Sequence, residues 1–115
     1  SLHNMKYNEH KIIATRYAEE LTNFIKNEKD INWMIFTTHG DSSGINYCFN
    51  NNSSLAWTDN TNCGSSFALN SMYKRFATIT TNGTPVSSVD VVVDVSWRET
   101  TIRSVKINSI YQVWE

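Results

Sequence analysis

Apolar residues recur at helical spacing in the first quarter of the chain. Ile13, Tyr17, Leu21 and Phe24 follow one another at steps of four, four and three residues, and Ala14, Ala18 and Ile25 widen this stripe. This spacing places the four side chains on one face of an amphipathic helix. Neither glycine nor proline interrupts residues 3–28. The pattern therefore predicts a helix over residues 3–28, about 39 Å long at 1.5 Å per residue.

The clearest strand pattern lies in the last third of the chain. Within residues 88–97, every second residue is apolar over most of the length, and the intervening positions are mostly polar. The apolar face includes Val91, Val93, Val95 and Trp97. A period of two with one apolar and one polar face is typical of an antiparallel strand that covers a core.

Two further strands are predicted on either side of this one. Residues 72–81 are rich in β-branched and aromatic side chains, and residues 103–113 alternate again before the chain ends. A helix followed by strands is typical of the α+β class, with the helix laid across one face of an antiparallel sheet. We therefore expect one domain over residues 1–115, with a sheet of three to four strands whose valine face packs on the apolar face of the helix.

The segment between helix and sheet, residues 37–70, is polar and holds both cysteines. Cys48 and Cys63 are separated by fourteen residues, mostly Asn, Ser and Thr. The alternatives to a disulfide are a pair of buried free thiols and a metal site. Zinc needs four ligands, however, and neither cysteine has a Cys or His at finger spacing. We expect a disulfide, which would stabilise the fold by roughly 3 kcal/mol and indicate an oxidising compartment.

Composition and net charge do not indicate a particular class of binding partner. The 115 residues include 10 Lys and Arg against 11 Asp and Glu, for a formal net charge of −1. The basic residues are scattered along the sequence and form no stripe, so we expect no nucleic-acid partner. Asn is unusually common, with fourteen copies, and favours turns and solvated surfaces.

Candidate catalytic and metal-binding residues do not form a recognisable constellation. Glu19 and Glu20 are adjacent, but consecutive helix positions point about 100° apart, which is typical of a solvated face. His3, His10 and His39 lack the spacing of metal ligands. The polar stretch after His39 has no Gly-x-Ser-x-Gly elbow. The sequence therefore predicts neither an enzyme nor a cofactor or metal site.

Trp57 is the one tryptophan inside the polar cysteine loop. An aromatic plate with amides and hydroxyls nearby suits a carbohydrate ring. In the alternative interpretation, Trp57 folds back and covers a small core of the loop. The first interpretation makes Trp57 a candidate ligand surface for a glycan, and the chain a free-standing carbohydrate-binding or adhesin domain.

Four stretches of the chain together carry a resemblance to a known family. They are ATRYAEELTNFIKNEKDINW at residues 14–33, VDVVVDVSW ending at Trp97, VKINSIYQVW ending at Trp114, and a loop running from Tyr47-Cys48 to Asn62-Cys63-Gly64. These stretches resemble the minor pilins of type IV pili and the related pseudopilins of type II secretion. The resemblance extends over nearly the whole chain.

The resemblance implies a pilin-like fold and a structural, non-catalytic role in pilus assembly or at the pilus tip, or in a secretion pseudopilus. It implies that other pilin subunits contact the N-terminal helix. It also implies an apolar helix half that precedes Ser1 and anchors the subunit in the inner membrane before assembly. Residues 1–115 would then be the soluble ectodomain, displayed at the cell surface or outside the cell.

Overall fold

The described part of the chain forms two helices and four strands. The computed structural model describes residues 2–51, 54–58 and 63–113; Asn62 and Trp114 of the stretches quoted above lie outside them. Within the described residues, the elements in chain order are α1 Leu2–Ile31, α2 Trp33–Thr37, β1 Ile45–Cys48, β2 Tyr73–Asn82, β3 Ser88–Arg98 and β4 Ile102–Gln112. The strands form an antiparallel sheet in the order β1-β2-β3-β4. The α+β class with a long N-terminal helix is confirmed.

Strand β3 supplies the middle of the core. Its alternating face lies towards α1, and Val91, Val93, Val95 and Trp97 are all buried there, as the period-two pattern indicates. A tight turn joins β2 to β3 and contains a cis peptide bond before Pro85. The turn begins at Gly83, whose φ of 94° is a conformation that glycine adopts without strain.

The stripe of α1 that contacts the sheet is rotated relative to the predicted one. Among the four predicted helix positions, only Leu21 is completely buried, while Ile13, Tyr17 and Phe24 are partly buried and pack at the margin of the core. The completely buried side chains of α1 are Ala14, Ala18, Leu21 and Ile25. The two alanines have small side chains, so the helix backbone approaches the sheet closely there, and the larger residues pack on either side.

Because α1 lies close to the sheet at Ala18, the stability of the fold should be sensitive to a larger side chain at this position. We expect Ala18→Leu to lower the free energy of unfolding by about 1–3 kcal/mol, because added methyl groups have no room between α1 and the sheet. The adjacent Glu19 is exposed, so Glu19→Leu is the matched control and should change stability by no more than about 0.5 kcal/mol. Urea denaturation measures both. Equal effects of the two variants would contradict the close packing of α1 on the sheet at Ala18.

Helix α2 is a short element that the sequence pattern did not predict. Its N-terminus is capped by Asn32, whose side-chain oxygen accepts a hydrogen bond from the backbone N–H of Ile35 at 3.0 Å. Phe36 is buried and packs edge-on against Tyr111 of β4. Met34 and Ile35 remain exposed at this end of the molecule.

Candidate functional site

The polar loop is covalently closed. A disulfide joins Cys48, the last residue of β1, to Cys63, which is buried. The predicted disulfide is therefore confirmed. Because Cys48 is paired in this bond, it is not available as a nucleophile.

Arg75 of β2 holds the same loop from inside the molecule. Its side chain is completely buried. Nε donates to the carbonyl of Phe49 at 2.9 Å, and Nη2 donates to the carbonyl of Asn51 at 3.4 Å. Nη1 donates to the carbonyl of Tyr17 at 3.1 Å and to the carboxylate of Glu20 at 2.8 Å. One guanidinium therefore connects the cysteine loop, β2 and the middle of α1.

Trp57 folds back onto the helix. Its indole N–H donates to Oε1 of Glu28 at 2.8 Å, and its ring stacks on His39 with centroids 4.0 Å apart and planes 9° apart. Three more rings pack around it, those of Phe24, Tyr47 and Phe49. Of the two interpretations of Trp57, the structure favours the one in which it covers the loop's own small core.

Burial also affects a histidine in this aromatic cluster. The pKa of His39 is lowered because the ring is desolvated, and the carboxylate of Glu28 opposes this only in part. The cluster therefore fixes the loop to α1 by packing and by the hydrogen bond of Trp57.

An acidic residue is nearly buried on the face of the sheet opposite α1. Asp94 of β3 is only 7% exposed, and Nζ of Lys106 lies 3.9 Å from its Oδ2. Burial raises the pKa of the Asp94 carboxyl above its ordinary value of 3.8, and the charges of Lys106 and Lys74 oppose this without cancelling it. The ionised form of Asp94 is therefore costly in the folded state.

We expect Asp94→Asn to raise the free energy of unfolding at pH 7 and to leave it unchanged near pH 3. The raised pKa means that folding favours the protonated carboxyl, so its contribution is present below 3.8 and is lost as the pH rises through the pKa of the folded state. Asparagine stays neutral at every pH. Urea denaturation of both proteins from pH 3 to pH 7 should show a difference that grows with pH. Asp90→Asn, on the same face of β3, is the control; an equal effect there would contradict a specific role of Asp94.

A charged groove lies where the first turns of α1 meet the turn between β3 and β4. The groove is open and encloses about 600 Å³. Its ionisable lining is Lys6, His10, Arg98, Glu99 and Arg103. Three of these side chains are those of lysine or arginine, and one is a carboxylate.

Glu99 is tightly held within this groove. Its Oε2 accepts a hydrogen bond from the indole N–H of Trp97 at 2.7 Å and lies 3.0 Å from Nδ1 of His10. Nε of Arg103 lies 3.8 Å from the other oxygen. The hydrogen bonds from Trp97 and then from His10 hold the pKa of Glu99 below its ordinary value. Glu99 therefore tethers α1 to the end of β3.

The other residues considered as catalytic or metal-binding candidates are not brought together into one site. Glu20 is bonded to Arg75, while the neighbouring Glu19 is exposed on α1. Among the described residues, no three or more His, Cys, Asp and Glu side chains are placed to hold a metal ion. Within the same residues, no helix is both long and apolar enough to span a bilayer.

Arg75 and the pairing of His10 with Glu99 were not identified from the sequence. The period-two pattern of β2 places Arg75 between Tyr73 and Ala77 on the buried face, and a charge at such a position is a usable signal. His10 and Glu99 are 89 residues apart, and no local pattern connects them. Only the packing of α1 across the end of β3 brings them together.

No protein-family model matches this chain, and neither a curated protein nor a solved structure does. The resemblance to minor pilins therefore remains a hypothesis carried by the quoted stretches. Function has to be inferred from the described surfaces.

Proposed function

We propose that the chain is a non-catalytic structural subunit of a surface filament, of the kind formed by type IV minor pilins or by secretion pseudopilins, and that α1 is its assembly element. The observation that supports this most is the one-sided packing of α1. The helix has 30 residues, and the sheet covers one stripe of it. Its uncovered surface carries large apolar side chains, with Ile12 57% and Ile31 77% exposed.

The shape of the molecule supports the same role. Its principal extents are 51 × 25 × 25 Å, and a helix of 30 residues is about 45 Å long. Only the longest dimension accommodates α1, so the helix runs along the molecule and presents its free face over most of that length. Such a face suits lateral packing against other helices.

The internal use of charge also supports a structural role. The buried guanidinium of Arg75 bonds backbone carbonyls, and Glu99 is occupied by Trp97 and His10. Both groups tie elements of the fold together and are not directed at a substrate. The disulfide suits a domain that functions outside the reducing cytosol, at the cell surface.

A glycan-binding role is less well supported. One face of Trp57 is stacked on His39, and its indole N–H is bonded to Glu28. A sugar would have to displace these contacts to use the ring as a platform. We therefore do not propose an adhesin function around Trp57.

The reading frame upstream of Ser1 in the gene is the first test. A short basic leader followed by about 20 apolar residues with an early glutamate would support the proposal, since that length spans a bilayer. A cleavable signal peptide of ordinary type, or a start codon directly before Ser1, would overturn it.

A second test follows the protein in cells that express the complete gene. An antibody against this domain should detect it in the filament fraction sheared from the cell surface. Ile12→Asp should remove it from that fraction, because a charge on the free face of α1 opposes helix packing. Asn108→Asp, exposed on the sheet face opposite α1, is the matched control and should leave the protein in the fraction. Equal loss of both variants, or no loss of either, would contradict assembly through α1.

A further inference from the structure

The charges of the molecule are unevenly distributed along its long axis. At the end where α1 begins, Lys6, Arg98 and Arg103 line the groove, and Glu99 is the only carboxylate among the described residues that line it. Two exposed apolar side chains lie at the same end of the molecule: Met5, on the same turn of α1 as Lys6, is 67% exposed, and Ile102, paired with Arg98 in the sheet, is 61% exposed. We call these five residues, Met5, Lys6, Arg98, Ile102 and Arg103, the cationic pole.

The opposite end of the molecule carries aspartate side chains. Asp30 is exposed in the last turn of α1, and Asp41 and Asp90 lie near the same end of the sheet. A formal net charge of −1 for the whole chain therefore conceals a local excess of positive charge at the cationic pole. Attraction of this protein to a negative surface needs a local excess of this kind, because the net charge opposes it.

The arginines of the cationic pole are pre-positioned. The guanidinium of Arg98 lies 4.8 Å from the ring centroid of Phe67, and that of Arg103 lies 5.2 Å from the ring centroid of Tyr7. Stacking on a ring orients the planar group and leaves its edge N–H donors available to an oxyanion. One oxygen of the Glu99 carboxylate is held by Trp97 and His10, and the other lies 3.8 Å from Nε of Arg103, so Glu99 offsets the charge of one of the three cations of the pole.

We propose that the cationic pole binds the phosphate headgroups of anionic phospholipids at a membrane surface. Arginine and lysine side chains bind phosphate oxygens, and cations mixed with exposed apolar side chains suit the boundary between headgroups and acyl chains. The exposed apolar side chains of Met5 and Ile102 favour a bilayer over a soluble phosphate as the ligand, since only a bilayer buries them. Bound in this way, the domain stands end-on, with the long axis of α1 pointing away from the membrane.

This inference goes beyond the filament proposal and is tested separately from it. The experiment measures binding of the purified protein to sedimenting vesicles of phosphatidylcholine with and without 30% phosphatidylglycerol, at about 50 mM salt, where charge is screened only beyond roughly 14 Å. We expect binding to the anionic vesicles alone. Lys6→Gln with Arg98→Gln should weaken it about 25-fold, since each Lys or Arg near an anionic surface contributes about fivefold.

The matched control is Arg16→Gln with Lys26→Gln. It removes two exposed cations from α1 and gives the same net charge, but Lys26 lies about 30 Å along the helix from Lys6. We expect this control to bind within twofold of the unaltered protein. Circular dichroism checks that both double variants are folded. Equal weakening by the two pairs would overturn the assignment to the cationic pole.

Two further outcomes are decisive. Absence of binding to anionic vesicles at 50 mM salt would overturn the proposal outright. Full competition by 10 mM inorganic phosphate would assign the site to soluble phosphate and overturn the membrane assignment. Met5→Ser with Ile102→Ser separates the sources further, because it should weaken vesicle binding while leaving any phosphate binding unchanged.

Discussion

Arg75→Met is expected to lower the free energy of unfolding by about 3–5 kcal/mol, more than any other substitution considered for this protein. Methionine fills much of the volume but donates no hydrogen bond. The carbonyls of Tyr17, Phe49 and Asn51 and the carboxylate of Glu20 then lose a charged donor, and a hydrogen bond to a charged group is worth about 1.5–3 kcal/mol. Urea denaturation at pH 7, followed by tryptophan fluorescence, measures the change.

Two companion variants of Arg75→Met identify the source of the loss. Glu20 is 51% exposed, so Glu20→Gln removes the ion pair alone and should cost no more than about 1 kcal/mol. Arg75→Lys keeps the charge but lacks the planar fork that bonds several carbonyls at once, so it should recover little of the stability. If Glu20→Gln proved as destabilising as Arg75→Met, the ion pair and not the carbonyls would hold the loop.

The double variant Cys48→Ala with Cys63→Ala is expected to lose about 3 kcal/mol. Removing the cross-link frees a loop of fourteen residues in the unfolded chain, and that gain in entropy sets the magnitude. Equilibrium unfolding in urea, with and without a reducing agent, gives the measurement. The unaltered protein should lose a similar amount on reduction, whereas the double variant should not respond to the reductant. A stability that is the same for both proteins would contradict a structural role of the disulfide.

The disulfide and Arg75 act on the same segment, so their effects should not add. Once the loop is released by one change, the other has less structure to destroy, and neighbouring sites of this kind couple by 0.5–3 kcal/mol. A triple variant that loses the full sum of the two effects would show that the cross-link and the guanidinium act independently.

The sequence predicted the structure best in segments where apolar and polar residues repeat with a single clear period. In β3 the alternation of valines with polar residues is decided by burial on a single face, and Val91, Val93 and Val95 are buried as expected. In α1 the same reasoning misjudged the centre of the stripe. It gave weight to large apolar residues such as Tyr17, whereas close approach of a helix to a sheet favours the smallest side chains, here Ala14 and Ala18.

The groove and the loop contacts were beyond sequence reasoning for a different reason. Trp57 reaches Glu28 across 29 residues, and Arg75 reaches Tyr17 across 58. Such pairings depend on how α1 lies against the sheet, which no local pattern records. The cysteines were the exception, because their chemistry predicts a cross-link without knowledge of the packing.

During synthesis of the chain, helix α1 is made well before the strands that it packs on. Helix α1 packs chiefly on β3 and β4, the last two elements to be made. Gln112 follows Ile31 by 81 residues (112 − 31), and at 5–20 residues per second their synthesis takes about 4–16 s. For that time Leu21 and Ile25 have no sheet to cover them. The apolar stripe of α1 therefore stays uncovered until the strands that bury it have been made.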